Sequence, residues 1–222
     1  MTLLYLVLVC VAGVALLRWL LPAPWERAAH TTLVVGMGAG IGIGIASSAY
    51  FICMAAVGPQ RLVIAAVEGV ILAAALALGI LAKQREPAFD WAAGPPTPWY
   101  LTGIFGLAVA LAAAMFIVYS LTKPHGEWDA WSIWNLHARF LYRGGNFWTD
   151  GFSPDIPWSH PEYPLLIPGA TALLWTLAHA EGPLTPVAIG FVFAFAGAAV
   201  LVGAFVIFNT FNITVAQRMR DG

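Results

Sequence analysis

The chain has 222 residues, of which 60% are hydrophobic and 9% are charged, and its mean hydropathy is +0.81. Soluble domains carry about 25% charged residues, so this composition excludes a single water-soluble globule and a disordered chain. The formal net charge of −1 excludes nucleic-acid binding through bulk positive charge. Cys10 and Cys53 lie in apolar runs without metal-ligand spacing and are predicted to be buried thiols. The composition therefore predicts an integral membrane protein.

Six apolar segments approach the length of a membrane-spanning helix, which needs about 20 apolar residues. They lie at about residues 2–21, 31–57, 62–82, 99–121, 163–180 and 186–208. We predict an all-α fold, a polytopic transmembrane helical bundle with about six spans. A proline-rich connector at about 86–98 divides it into a three-helix membrane region (1–98) and a second region (99–222).

The second segment contains five alternate glycines, Gly36, Gly38, Gly40, Gly42 and Gly44. A phosphate-binding loop is disfavoured because no strand precedes them and no Lys-Ser/Thr pair follows. The spacings from Gly36 to Gly40 and from Gly40 to Gly44 place two small residues four positions apart. Such pairs let helix backbones approach closely in lipid. We therefore predict close helix packing here.

The basic residues of the short connections indicate an orientation. Cytoplasmic loops are enriched in Lys and Arg, and four such residues flank the first connection or open the third: Arg18, Arg27, Lys83 and Arg85. This places the N-terminus and the long loop at 122–162 outside the cytoplasm. Arg218 and Arg220 then also fall outside, which the rule disfavours. Either the fifth and sixth segments do not both span, or more chain follows.

The external loop at 122–162 concentrates polar and aromatic residues, with five of the eleven acids and five of the ten tryptophans. Tryptophan prefers the membrane–water boundary, so the loop is predicted to lie along it. Residues 128–143 contain neither proline nor glycine, which favours a helix. On a helical wheel of 100° per residue, one face carries Ser132, Asn135, Arg139 and Arg143. This predicts an interfacial amphipathic helix, which in one interpretation is only an anchor.

A catalytic interpretation starts from Glu127 and Asp129. Two carboxylates at the point where a span emerges can face a shared cavity, where one removes a proton from an acceptor hydroxyl or amine. Arg139 and Arg143 on the same helix can hold a phosphate leaving group. The loop ends in Ser159-His160-Pro161-Glu162-Tyr163-Pro164, and its prolines fix the backbone before the next span. His160 and Glu162 are open to a structural or a functional reading.

Glu68 is the only acidic residue well inside a predicted span. An ionisable group within a membrane is a functional hypothesis by default. It has no basic neighbour nearby in sequence, and a helix–helix hydrogen bond is an equally good explanation.

The loop resembles the first external loop of GT-C-type membrane glycosyltransferases, particularly the bacterial protein-O-mannosyltransferase and aminoarabinose-transferase group. The resemblance rests on GEWDAWSIWNLHARFLYRGG followed by WSHPEYPLLIPGA, and with the flanking spans it covers about 100–208. Members of this group usually have more spans and further external loops, and they commonly start directly at the matching region, which three spans precede here.

The resemblance implies a transferase that moves a sugar from a polyprenyl-phosphate carrier to an acceptor outside the bacterial inner membrane. It implies that Asp129 is the catalytic base, with Glu127 as its neighbour or substitute. Substrate-binding residues are then expected among Arg139, Arg143, Asn135, His160, Glu162 and Tyr163, without an assigned metal or other cofactor. The alternative is a non-catalytic membrane protein that binds lipid or a partner through its interfacial helix.

Overall fold

The computed structural model describes residues 1–21, 28–82, 99–198 and 200–201, and every regular element in these ranges is helical. The predicted all-α class is therefore confirmed for this part of the chain. The four long helices are α1 (Thr2–Leu20), α2 (Ala28–Val57), α3 (Arg61–Ala82) and α4 (Trp99–Thr122). After α4 come a π-helical turn (Ala130–Trp134), α5 (Asn135–Arg143), 3₁₀ turns at Gly145–Phe152 and Pro157–Ser159, α6 (Leu166–Ala178) and α7 (Leu184–Ala198).

Three helical segments are long and apolar enough to cross a membrane: Thr2–Leu20, Leu33–Val57 and Arg61–Ala82. They support a membrane protein, whereas the predicted six spans are not confirmed. The 13 residues of α6 extend about 20 Å, which is less than the roughly 30 Å hydrocarbon core. The predicted end of the sixth span at 208 lies outside the described residues.

Helices α1 and α2 touch through glycines. A Cβ atom on Gly13 would overlap the carbonyl oxygen of Gly38, and one on Gly42 would overlap the carbonyl oxygen of Val9. Close packing was predicted for α2, but the glycines that make the contact differ from the predicted ones. A Cβ on Gly40 would meet no atom within 4 Å. The spacing of four that carries the contact is Gly38 to Gly42.

Helix α3 returns against α1, where a Cβ on Gly79 would stand 2.6 Å from that of Ala15. Helix α6 runs beside the second half of α2 and in the same direction. The Ser47 hydroxyl donates to the carbonyl of Leu166 (2.8 Å), and Arg61 donates to that of Leu177 (3.0 Å). Tyr50 and Trp175, each 1% exposed, lie in the core between these elements.

Several sequence predictions concern residues outside the described ranges. They include the connector at 86–98, which sets the predicted division into 1–98 and 99–222, and most of the basic residues used for orientation: Arg27, Lys83, Arg85, Arg218 and Arg220.

Candidate functional site

The turn after α4 holds the first of the two predicted carboxylates. Gly126 has a φ of +73°, a left-handed conformation that glycine adopts without steric cost. Across this turn Lys123 and Glu127 form an exposed ion pair. The hydrogen bond from Lys123 keeps the pKa of Glu127 below its usual range, and the same bond raises the pKa of Lys123. Glu127 therefore remains ionised and is already paired.

The second carboxylate, Asp129, is exposed and makes no hydrogen bond or ion pair with any residue that the structure describes. Trp128 and Trp131 lie on either side of it in sequence, with their rings edge to face at 4.7 Å and both largely exposed. Both side chains lie at the surface, so the expected shared cavity does not enclose Glu127 and Asp129. Of the two predicted carboxylates, only that of Asp129 has no partner among the described residues.

The predicted amphipathic helix is present but is not a single α-helix. It starts as a π-helical turn at Ala130–Trp134 and continues as α5. A π turn has i→i+5 hydrogen bonding, so the 100° helical wheel that predicted the polar face does not hold through Ala130–Trp134. Ser132 is 1% exposed and donates to the carbonyl of Trp128 at 2.7 Å.

Asn135, a predicted substrate-binding residue, is also buried, at 4% exposure. Its side-chain amide donates to the carbonyl of His125 at 3.4 Å, which ties the start of α5 to the turn after α4. In this arrangement Asn135 has a structural contact and does not face solvent with the two arginines.

The two arginines of α5 share one acid that the sequence analysis did not consider. The Nε atom of Arg139 lies 2.9 Å from one carboxylate oxygen of Glu181, and Arg143 binds the other oxygen. Glu181 is largely buried, whereas the Arg143 side chain is 63% exposed. The cluster of Arg139, Arg143 and Glu181, here called the arginine clamp, therefore keeps a net charge of +1, and Arg143 is the more exposed of its two cations.

The arginine clamp also limits the membrane topology. The sequence prediction placed α5 outside and Glu181 beyond a fifth span, on the cytoplasmic side. In the structure α5 lies along α6, and the C-terminal end of α5 contacts the residues that follow α6. The two helices therefore lie at the same depth. The fifth predicted span is not confirmed, and α5 and α6 lie side by side.

His137 is buried under the end of the loop, at 1% exposure. Its Nε2 atom lies 3.3 Å from the hydroxyl of Ser159, which itself donates to the carbonyl of Ile156 at 2.8 Å. Since the hydroxyl proton is already used, Nε2 is assigned as the donor and Nδ1 as an acceptor without a partner among the described residues. Burial lowers the pKa of His137, so the neutral ring is favoured.

The predicted residues at the end of the loop form one exposed group. The rings of His160 and Tyr163 stack at 4.5 Å, and Trp134 lies 5.6 Å from Tyr163. The Nδ1 atom of His160 lies 3.2 Å from the carboxylate of Glu162. The backbone amide of Glu162, together with His160, lowers the pKa of this carboxylate. The structure thus brings His160, Glu162 and Tyr163 together.

Comparisons with protein-family models, with curated proteins and with solved structures found no match for this chain. Within the described ranges, no three His, Cys, Asp or Glu side chains are grouped to hold a metal ion.

Proposed function

We propose that this chain is a membrane glycosyltransferase of the GT-C type, or its N-terminal part. It transfers a sugar from a polyprenyl-phosphate carrier to an acceptor on the outer side of the bacterial inner membrane. The observation that supports this proposal is the exposed Asp129 carboxylate, which has no partner among the described residues and lies beside two exposed tryptophans.

Asp129 acts as the general base in this proposal. The acceptor oxygen attacks the anomeric carbon of the sugar, its proton passes to Asp129, and the bond from that carbon to the phosphate oxygen breaks. Polyprenyl phosphate leaves with the electron pair of that bond. A base must be free to take the proton, and for this reason Asp129 is favoured over Glu127, which is bound to Lys123.

The arginine clamp is a candidate site for a phosphate of the acceptor, and not for the phosphate that leaves at Asp129, because Arg143 follows Asp129 by 14 residues, about 20 Å along the same helix. Two guanidinium groups share one carboxylate, so one positive charge remains, and the Arg143 side chain is accessible to a ligand. Guanidinium groups bind phosphate through paired, charge-assisted hydrogen bonds. His160, Glu162 and Tyr163 supply hydrogen-bonding groups and an aromatic surface for the sugar or the acceptor.

The alternative is a non-catalytic protein that binds lipid through this loop. It is favoured by a separate observation, the exposure of several large aromatic side chains on the loop: Trp128, Trp131, Phe147 and Trp158. Tryptophan rings at the headgroup level anchor proteins to membranes without any chemistry. In this alternative Asp129 has no specific role.

The replacement Asp129→Asn separates the two proposals. The full chain is reconstituted in liposomes with undecaprenyl-phosphate mannose or undecaprenyl-phosphate aminoarabinose, and release of undecaprenyl phosphate is measured with bacterial membrane extract as the acceptor source. We expect Asp129→Asn to lower the rate by at least about 100-fold, the usual contribution of a general base. Asp150→Asn is the matched control, because Asp150 is another exposed acid of the loop, and it should retain the rate.

Turnover in Asp129→Asn equal to that of the unmodified chain would contradict the role of Asp129 as the base. Absence of turnover with both carriers in the unmodified chain would contradict the transferase and favour the lipid-binding alternative.

A further inference from the structure

A cavity of about 390 Å³ lies among α1, α2 and α3, far in sequence from the loop. Sites for small organic ligands typically have volumes of about 300–1,000 Å³. The walls are mainly aliphatic side chains and glycines of the three helices, and Leu177 at the end of α6 also lines the cavity. Of the described residues that line the cavity, only Tyr5 and Glu68 have polar side chains. An apolar chain fits these walls.

Glu68 is the exceptional member of this lining. It lies seven residues after Arg61, about 10 Å along α3, within a segment long and apolar enough to span a membrane. One of its carboxylate oxygens is buried and makes no hydrogen bond with any described residue. A buried carboxylate oxygen without a hydrogen bond is costly, so this atom indicates a missing partner.

The nearby cation on the same helix does not supply that partner. Arg61 donates to the carbonyl of Leu177 at 3.0 Å, and no ion pair joins Glu68 to any residue in the described ranges. A ligand with a protonated amine would bring the complementary charge, and an ion pair is strong where the dielectric constant is low. The aliphatic walls require that this amine carry a hydrocarbon chain.

We propose that the cavity among α1, α2 and α3 binds an amphiphile with a hydrocarbon chain and a cationic amine, which pairs with Glu68. This site is independent of the proposed transferase, because it uses none of the loop residues. Gly69 gives access to a direct test, since a Cβ at this lining position meets no atom within 4 Å. A leucine there starts from a Cβ position free of contacts and adds three carbon atoms beside the cavity.

The test uses the full chain in phosphatidylcholine nanodiscs and a diazirine-bearing decylamine, with mass spectrometry of the labelled peptides. We expect label on residues 5–16 and 65–78, reduced about tenfold in Glu68→Gln, the loss expected for one charge-assisted hydrogen bond. Gly69→Leu should lower this label as strongly. Gly103→Leu is the matched control, because a Cβ on Gly103 of α4 also meets no atom within 4 Å, and it should leave the label unchanged.

A diazirine-bearing decanol of the same chain length tests the role of the charge. We expect the alcohol to label the cavity of the unmodified chain weakly, to no greater extent than the amine labels the Glu68→Gln variant. Equal labelling by the alcohol and the amine would overturn the requirement for a cation. Labelling by the amine that is unchanged in both Glu68→Gln and Gly69→Leu, or that is absent from these segments, would overturn the site itself.

Discussion

The contact between α1 and α2 and the loop between α4 and α6 are held together in different ways. Between α1 and α2, backbones touch where Gly13 meets Gly38 and Gly42, and the fit depends on the absence of side chains. In the loop, buried polar groups such as Ser132, Asn135 and His137 bind carbonyls or one another across turns. Small residues at a fixed spacing therefore specify the first region, whereas the second depends on particular hydrogen bonds.

The largest effect on stability is expected where the backbones touch. Gly13→Leu places a side chain against the backbones of Gly38 and Gly42, which cannot move aside without separating α1 from α2. We expect a loss of about 3 kcal/mol in the free energy of unfolding, the upper range for overpacked cores. Chemical unfolding in detergent measures it. Gly40→Leu is the matched control, because a Cβ on Gly40 meets no atom within 4 Å; an equal loss in both variants would contradict the glycine contact.

A smaller effect is expected in the arginine clamp. Glu181→Gln leaves Arg139 and Arg143 without their shared anion, and we expect a loss of about 1 kcal/mol, since both arginines are partly exposed and screened by solvent. Unfolding in detergent at low salt measures this loss. Glu127→Gln, which removes the exposed partner of Lys123, should have no measurable effect. A loss in Glu127→Gln as large as that in Glu181→Gln would indicate that burial of the acid is irrelevant.

The smallest effect is a pH dependence that arises from His137. Because its pKa in the folded chain lies below the ordinary value of 6.5, the unfolded chain binds the proton more readily. Stability is therefore complete above pH 6.5 and falls as the pH decreases below it, with a slope of at most about 1.4 kcal/mol per pH unit. Thermal unfolding between pH 7.5 and 5.5 should show this fall, and His137→Gln should remove it. His125→Gln is the control, because His125 is exposed, and it should retain the fall in stability. The same fall in His137→Gln would mean that other groups cause the pH dependence.

The sequence was sufficient to predict the helical class and the helices α1 to α4 to within a few residues, because long apolar runs have few alternatives. It also predicted that α2 packs closely. It did not predict which glycines make the contact, since alternate glycines offer two registers and only the partner helix selects between them. Gly13 on α1 makes that selection.

The candidate site was harder to predict. The helical wheel for residues 128–143 assumed a regular α-helix. The π turn at Ala130–Trp134 departs from that geometry, so the predicted polar face was wrong there. Glu181 was missed because the predicted fifth span put it on the other side of the membrane from Arg139. An acid directly after a short apolar helix, with two arginines spaced four apart on a preceding helix, was the available signal.

The carrier is proposed to bind at the loop, beside Asp129 and the exposed rings of Trp128 and Trp131. Photocrosslinking with a benzophenone-bearing polyprenyl phosphate, followed by mapping of the labelled peptide, measures where the carrier lies. We predict label on peptides from residues 123–165. Label confined to α1, α2 and α3 would contradict carrier binding at the loop.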